Sequence, residues 1–311
     1  MKKVFVIIVT YNGMKWLPEC LASLVTSTVP VTILVIDNNS TDGSASYIEE
    51  NYNDVILFKE KVNLGFGKAN NIGLAYALGQ NADYVFLLNQ DAFVEPETIQ
   101  NLINVACEHQ DYGIISPVQL EYSGNALEMY FYKFMACTAT RNFYSDFVLS
   151  KSLKAIYEVP FIQAAAWLLP ISTLRKIGGF DPIFFHYGED DNYCQRVLFH
   201  NLKIGVVPNV YIRHDSNMTP KPMVPLFSDL YFLNYEKQLY IKYGDLNCDF
   251  SVSNIKIEKN KIFKLLIFGC LSFNSQKIKG AFKQLTLLKE CNKRIRISRK
   301  TNEIINAHYI S

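Results

Sequence analysis

The sequence predicts an α/β protein: a mostly parallel central sheet flanked by helices, with a helical extension at its C-terminal end. Three observations carry that expectation. Solid apolar runs, among them Val4-Phe5-Val6-Ile7-Ile8-Val9 and Tyr84-Val85-Phe86-Leu87-Leu88, read as strands buried on both faces, as inside a parallel sheet. Segments with helical spacing alternate with them, as crossover connections require. After Pro222 the strand signals stop and lysine-rich helical stripes take over.

The first strand covers residues 4–10 and leads to a helix with Trp16, Leu17, Cys20, Leu21 and Leu24 on one face and Pro18 near its start. A second strand at 31–36 ends in the polar run Asp37-Asn38-Asn39-Ser40-Thr41-Asp42-Gly43, which opens a helix over 44–51. A short strand at 55–58 precedes Asn63-Leu64-Gly65-Phe66-Gly67-Lys68-Ala69-Asn70-Asn71-Ile72-Gly73 and a helix running through Leu74 and Leu78 to Gly79. The Tyr84 strand is the fourth, a helix follows from Pro96 to about Cys107, and a fifth strand is expected at 113–116. From 120 to 158 the alternation fails in a segment rich in Tyr and Phe, which reads either as a satellite core or as an aromatic wall for a sugar acceptor. A buried strand at 161–169, a helix at about 190–200 and strands at 203–207 and 210–213 complete this part. Pro220-Lys221-Pro222 marks a boundary, beyond which Leu226, Leu230 and Leu233 share a helical face and 262–273 and 278–288 form further stripes. The expected domains are 1–219, divided at about 117 into a nucleotide half and an acceptor half, and a basic helical region at 220–311.

Composition excludes several classes. Hydrophobic residues are 49% and charged residues 19% of 311, a globular profile. Seven scattered cysteines without a C-x-x-C pair argue against a disulfide framework or a zinc knuckle and for a reducing compartment. The opening apolar run is too short for a signal peptide, and no segment approaches the roughly 20 apolar residues that span a bilayer. A cytoplasmic protein, soluble or peripherally attached, is expected. Net charge is only +2, but basic residues crowd 256–300 with few acids, a pattern drawn to anionic surfaces. The same pattern also suits the solvated face of helices packed on a larger domain. No nucleic-acid-binding module accompanies it.

In a doubly wound sheet the polar ends of the strands, Thr10-Tyr11-Asn12, Asp37-Asn38 and Asn89-Gln90-Asp91, should lie along one edge, where a nucleotide binds. A carboxylate there, such as Asp91, can hold a divalent cation that grips phosphate oxygens, or it can simply cap the next helix. Glu189-Asp190-Asp191 opens a helix and reads as dipole partners or, beside a pocket, as a source of a general base. His109 and His200 read as structural.

Six blocks in order resemble family 2 glycosyltransferases: Val6 to Asn12, Val35 to Gly43, Asn63 to Gly73, Leu87 to Ala92, Gly178-Gly179-Phe180-Asp181 and Tyr187-Gly188-Glu189-Asp190-Asp191. Each is weak alone, and their joint order is specific. The flavour is that of the rhamnosyltransferase-like branch, which builds bacterial surface polysaccharides. The resemblance implies a GT-A fold, a nucleotide-diphosphate sugar donor (dTDP-rhamnose or a UDP-hexose), inversion, and a saccharide acceptor, lipid-linked in such pathways. It implies that Thr10, Tyr11, Asn12, Asp37, Asn39, Asn63, Lys68, Asn89 and Gln90 serve donor binding. It also implies that Asp91, with the late His214, binds Mg²⁺ or Mn²⁺, and that Asp190, with Glu189 beside it, is the catalytic base. The sequence departs from the family pattern at Asn89, where the metal motif commonly begins with Asp, at Gln163-Ala164-Ala165-Ala166, where a small Gly is frequent, and at Asn192. A sugar-nucleotide pyrophosphorylase and a dinucleotide dehydrogenase would each need a Gly-rich loop after the first strand, and Thr10-Tyr11-Asn12-Gly13-Met14-Lys15 is neither. The remaining alternative is a catalytically inactive homologue acting as a scaffold or regulatory subunit in polysaccharide assembly, against which retention of Asp91 and Asp190 speaks.

Overall fold

The computed structural model describes residues 2–216 and 223–310. The chain divides into two compact units, Met1–Asn217 with Ile305–Ser311, and Met218–Ile304. The Pro220-Lys221-Pro222 boundary expected from the sequence lies outside the described residues. The last residues, expected with the helical region, count with the first unit.

The first unit begins with β1 (Val4–Thr10), α1 (Leu17–Val25), β2 (Val31–Asp37), α2 (Ser44–Asn51), β3 (Ile56–Lys59), α3 (Phe66–Gly79) and β4 (Tyr84–Leu88). All three pairings among these strands are parallel, in the order β3-β2-β1-β4. Their residues are buried on both sides: alternate members of β1 join opposite cores, Phe5 and Ile7 on one face, Val4, Val6 and Ile8 on the other. Helix α3 starts at Phe66, within the polar block, although Gly67, Asn70, Asn71 and Gly73 are poor helix formers. Close packing selects them. A Cβ on Gly73 would lie 2.7 Å from Ile7 Cγ2, and one on Gly67 2.9 Å from Phe180 Cβ.

Beyond β4 the unit continues with β5 (Ala92–Val94), α4 (Thr98–Glu108), β6 (Tyr112–Glu121), α5 (Met129–Met135), α6 (Arg141–Val148), β7 (Tyr157–Glu158), β8 (Ala166–Pro170), α7 (Ile171–Ile177), α8 (Glu189–Phe199) and β9 (Lys203–His214). Here the sheet is mixed. Strand β8 runs antiparallel to β4 and β6, β6 and β9 are parallel, and β5 and β7 each pair antiparallel with β9. The strand expected at 161–169 is shorter and shifted, because residues 161–165 carry no ladder and form the approach to β8. The two late strands are one, β9, with a register shift opposite Pro117 and Val118. In the aromatic segment Phe131, Phe143 and Tyr157 enter the main core rather than a satellite one, while Tyr122, Tyr132 and Phe134 stay exposed.

The second unit consists of α9 (Asp229–Gly244), α10 (Val252–Leu271) and α11 (Ser275–Asn302). The face expected to be buried on α9 is not: Leu230 and Leu233 are exposed, as is Leu226 before the helix, while Phe232, Leu239, Tyr240 and Tyr243 go inward. Glu258 accepts hydrogen bonds from Tyr243, Lys242 and Lys261, which ties α9 to α10. Among the described residues no helix is long and apolar enough to cross a membrane.

Candidate active site

Parallel order puts the ends of β1, β2 and β4 on one edge, and their loops interlock. Asn12, held at a positive φ of 49°, receives a hydrogen bond from Thr41 N on Oδ1 (2.8 Å) and donates its own N–H to Ser40 Oγ (2.9 Å). Gly13 N donates to Ser44 Oγ and Met14 N to Asp42. Desolvation works against it, but the bonds from Ser44 and Met14 hold the Asp42 carboxyl below its usual range. Asp37 is buried, its carboxylate facing Ser40 N at 3.3 Å. Asn38 bridges to the next loop, donating to Asn63 Oδ1 (3.0 Å) and accepting from Leu64 N (2.8 Å). Gly65 then donates to the same Asn63 oxygen. Gly65 sits at φ 81°, and a Cβ there would meet Phe185 O at 1.9 Å, so only glycine lets the loops around 65 and 185 touch. Tyr11, Asn12, Asn39, Asn63 and Lys68 all reach solvent along this edge.

Two donor-binding expectations change character here. Thr10 is fully buried and its hydroxyl donates to Gln90 Oε1 (2.7 Å), which also accepts from Tyr11 N (3.0 Å). These side chains lock the first loop to the turn after β4 and are occupied by each other.

That turn carries Asn89 and Asp91. Antiparallel pairing of β5 with β9 sets Ala92 opposite His214, which brings His214 Nε2 to 3.4 Å from Asp91 Oδ1. His214 Nδ1 and Asn89 Oδ1 are buried with no hydrogen-bond partner among the described residues. Two ligands each about 2.1 Å from one octahedral cation lie roughly 3 Å apart, so the Asp91–His214 spacing fits a shared ion. Carboxylate and imidazole together could hold a divalent cation, the imidazole favouring Mn²⁺ over Mg²⁺. Among the described residues no group of three or more His, Cys, Asp or Glu side chains gathers to form a complete cage. Next to the pair, Asp215 donates its N–H to Asp91 O and accepts from Trp16 Nε1 (2.6 Å) and Lys15 Nζ (2.9 Å), which hold its carboxyl below the usual range.

The second acidic group stands at the start of α8. Gly188, at φ 98°, turns the chain into the helix, and buried Arg196 fastens it by donating to Asn192 Oδ1, Ile177 O and Gly179 O. Asn192, one of the departures from the family pattern, thus serves structure. So does Asn71, whose amide pairs both ways with the Phe180 backbone (2.7 and 2.8 Å). Burial raises the Asp190 carboxyl above its usual range, against hydrogen bonds from the backbone of Asp191, Asp190 and Ala164. Glu189 is pushed up to about 7 by burial and by the Asp190 charge, and its Oε2 has no partner among the described residues.

One short segment connects the two acidic groups. Asn89 N donates to Ala165 O (2.9 Å), and the backbone of neighbouring Ala164 is among the groups that lower the proton affinity of the Asp190 carboxyl. Asp91 and Asp190 therefore belong to the same end of the sheet. The segment is held by residues that sequence reasoning did not single out for function. Gln163 Nε2 donates to Gln119 Oε1 and Glu128 Oε2 (2.8 Å each), and Glu128 also accepts from Phe131 N and Ser216 Oγ. Despite desolvation, those donors keep the Glu128 carboxyl below its usual range. Only the unusual Gln163-Ala164-Ala165-Ala166 run hinted at this. A surface hollow of about 660 Å³ in the aromatic segment is lined by Tyr132, Arg141 and Tyr144 among others, and none of the acids above borders it.

The fold matches solved structures over nearly the whole chain. Staphylococcus aureus TarS in complex with UDP-GlcNAc aligns with TM-score 0.56 and 16% identity over 97% of this chain and 90% of that one. GalNAc-T7 with UDP, GalNAc and Mn²⁺ aligns with TM-score 0.58 and 16% identity over 84% of this chain and 54% of that one. In sequence, the N-acetylglucosaminyl-diphospho-decaprenol L-rhamnosyltransferase of Mycobacterium tuberculosis is 28% identical over 213 residues, 62% of this chain and 69% of that protein. The model of glycosyl transferase family 2 matches residues 5–169, more than half of the chain, and the protein belongs to that family.

Proposed function

We propose that this glycosyltransferase acts by inversion, moving a sugar from a nucleotide-diphosphate donor, dTDP-rhamnose or a UDP-hexose, to a lipid-linked saccharide acceptor in bacterial surface polysaccharide synthesis. The observation that carries this reading is the hydrogen bond from Asn89 N to Ala165 O, which fixes the turn holding Asp91 against the segment whose Ala164 backbone acts on the Asp190 carboxyl. The rhamnosyltransferase relative and the UDP-containing structural neighbours support the choice of donor and acceptor class. Residues 1–219 form the catalytic part, with donor recognition before about 117. Such an acceptor places the work at the inner face of the cell membrane.

Asp37, Asn39, Asn63 and Lys68, with Tyr11 and Asn12, offer acceptors, donors and one cation along the edge where the nucleotide would lie. Asp91 and His214 would hold Mg²⁺ or Mn²⁺, which when bound neutralises charge gathering on the departing diphosphate. Inversion needs the acceptor hydroxyl to attack from the face opposite that leaving group. Asp190 takes the hydroxyl proton, and its raised proton affinity makes it a stronger base than a solvated aspartate. Glu189, pushed up to about 7, is charged only part of the time near neutral pH, which weakens the negative charge it sets against the one Asp190 must carry.

The test is a panel of nucleotide sugars with Mn²⁺ or Mg²⁺, read by thermal shift and by nucleotide release with saccharide acceptors. One donor should stabilise the protein and turn over. Asp190→Asn should keep the donor-induced shift and lose about 10²–10⁴-fold in kcat. If no nucleotide sugar shifts melting, or if Asp190→Asn turns over at the parental rate, the assignment fails.

A further inference from the structure

The turn between α10 and α11 has no role in the site described above, yet it has an unusual surface. Phe263, Ile267 and Leu271 follow one another at four-residue spacing and make a single stripe on α10. All three are exposed, with Phe268 beside them, and exposure increases towards the turn, to 77% at Leu271 and 94% at Phe273. The turn is well defined. Phe273 adopts a left-handed conformation (φ 48°), its N–H donates to Cys270 O, Asn274 N donates to Gly269 O, and the Asn274 side chain caps α11 at Lys277 N. Phe273 is thus held outward at the tip by the backbone on either side of it.

Charge surrounds this apolar tip with one sign. Residues 256–289 contain eight lysines and a single acid, Glu258. Glu258 is buried and already bonded to Lys242, Lys261 and Tyr243, so it contributes no exposed negative charge. Lys264, Lys277 and Lys279 flank the stripe, with Lys277 Nζ 4.1 Å from the Phe268 ring centroid. Exposed aromatic and aliphatic side chains with a lysine rim match a bilayer interface, where rings enter the acyl boundary and ammonium groups meet anionic headgroups. No described helix is long and apolar enough to span, so the fit is to the surface of the bilayer.

We propose that the α10–α11 tip is a wedge that inserts Ile267, Leu271 and Phe273 into an anionic lipid surface. It deepens the lipid-linked acceptor reading by naming the element that meets the membrane. Its test needs neither donor nor turnover, so its failure would leave the transferase reading standing.

The full-length protein is mixed with vesicles of phosphatidylcholine alone or with phosphatidylglycerol, and bound protein is measured by co-flotation. Wild type should bind the anionic vesicles at least about 10-fold more tightly than the neutral ones, and lose that preference in high salt. The variant Ile267→Ser/Leu271→Ser/Phe273→Ser changes exposed positions only. It should lose about 10-fold or more in vesicle affinity while keeping its melting temperature and its turnover of a soluble acceptor. Lys264→Glu/Lys277→Glu/Lys279→Glu should abolish the anionic preference. Equal binding by wild type and both variants, or no binding by wild type, overturns the proposal. A wild-type dimer that the serine variant dissolves, without any vesicle binding, would instead assign the tip to a second copy of the chain.

Discussion

At the ends of β1, β2 and β3 the polar side chains answer one another, whereas at the ends of β4 and β9 and the start of α8 several do not. Thr10 is spent on Gln90, Asn12 on Ser40 and Thr41, Asn38 on Asn63 and Leu64. By contrast Asn89 Oδ1, His214 Nδ1 and Glu189 Oε2 are buried without a partner among the described residues. An unpaired buried polar atom costs roughly 1–3 kcal/mol, so these three call for a compensating reason. A bound ion, diphosphate and sugar would supply partners. The contrast separates a loop framework whose polar groups pair with one another from an end where Asn89, His214 and Glu189 each keep a buried polar atom unpaired among the described residues.

The largest break in that contrast should come from Asp91→Ala. Removing the carboxylate 3.4 Å from His214 Nε2 should lower kcat by about 10²-fold or more and abolish any melting shift produced by Mn²⁺ with nucleotide, since metal-assisted charge stabilisation is worth several kcal/mol. An unchanged Mn²⁺-dependent shift would place the ion elsewhere.

A smaller effect separates the acids at α8. Glu189 titrates near 7 in the native protein against an ordinary 4.5. Between those values the native state binds more protons than the unfolded chain. The stability tied to keeping that proton is therefore full below about 4.5 and lost as pH rises through about 7, to an extent of order 3 kcal/mol. Urea titrations of Glu189→Gln should show a flatter pH dependence than wild type over that window. Parallel curves would remove Glu189 as the titrating group.

The smallest effect belongs to the self-satisfied edge. Thr10→Val deletes the bond to Gln90 and should cost about 1–2 kcal/mol, because Gln90 keeps Tyr11 N as a donor. KM for the donor should rise only a few-fold, read in the same assay as the thermal shift. A collapse of kcat with unchanged stability would show that Thr10 touches the reacting atoms after all.

Much of the architecture is legible in the chain itself. Continuous apolar runs locate β1, β2 and β4 because a strand covered on both faces has no polar side to show. Their polar ends share an edge because parallel order leaves no other choice. Three-residue β5 escaped notice, since so short a strand carries no periodicity, and its pairing is what brings Asp91 to His214. The identities of Asp91 and Asp190 were readable from the family blocks, but the bond from Asn89 N to Ala165 O was not, because its partners lie far apart in sequence.

Apolar periodicity and turn chemistry act over a few residues, so the sequence by itself determined β1 to β4 with the helices between them, the polar edge and the lysine-rich character of the last helices. Only the tertiary structure decided which strands reverse, that Thr10 and Gln90 bond each other, and that on α9 Leu230 and Leu233 face solvent while Phe232, Leu239, Tyr240 and Tyr243 are buried. Those outcomes depend on which groups compete for the same partner once distant segments meet, and burial rewards the better fit regardless of separation along the chain.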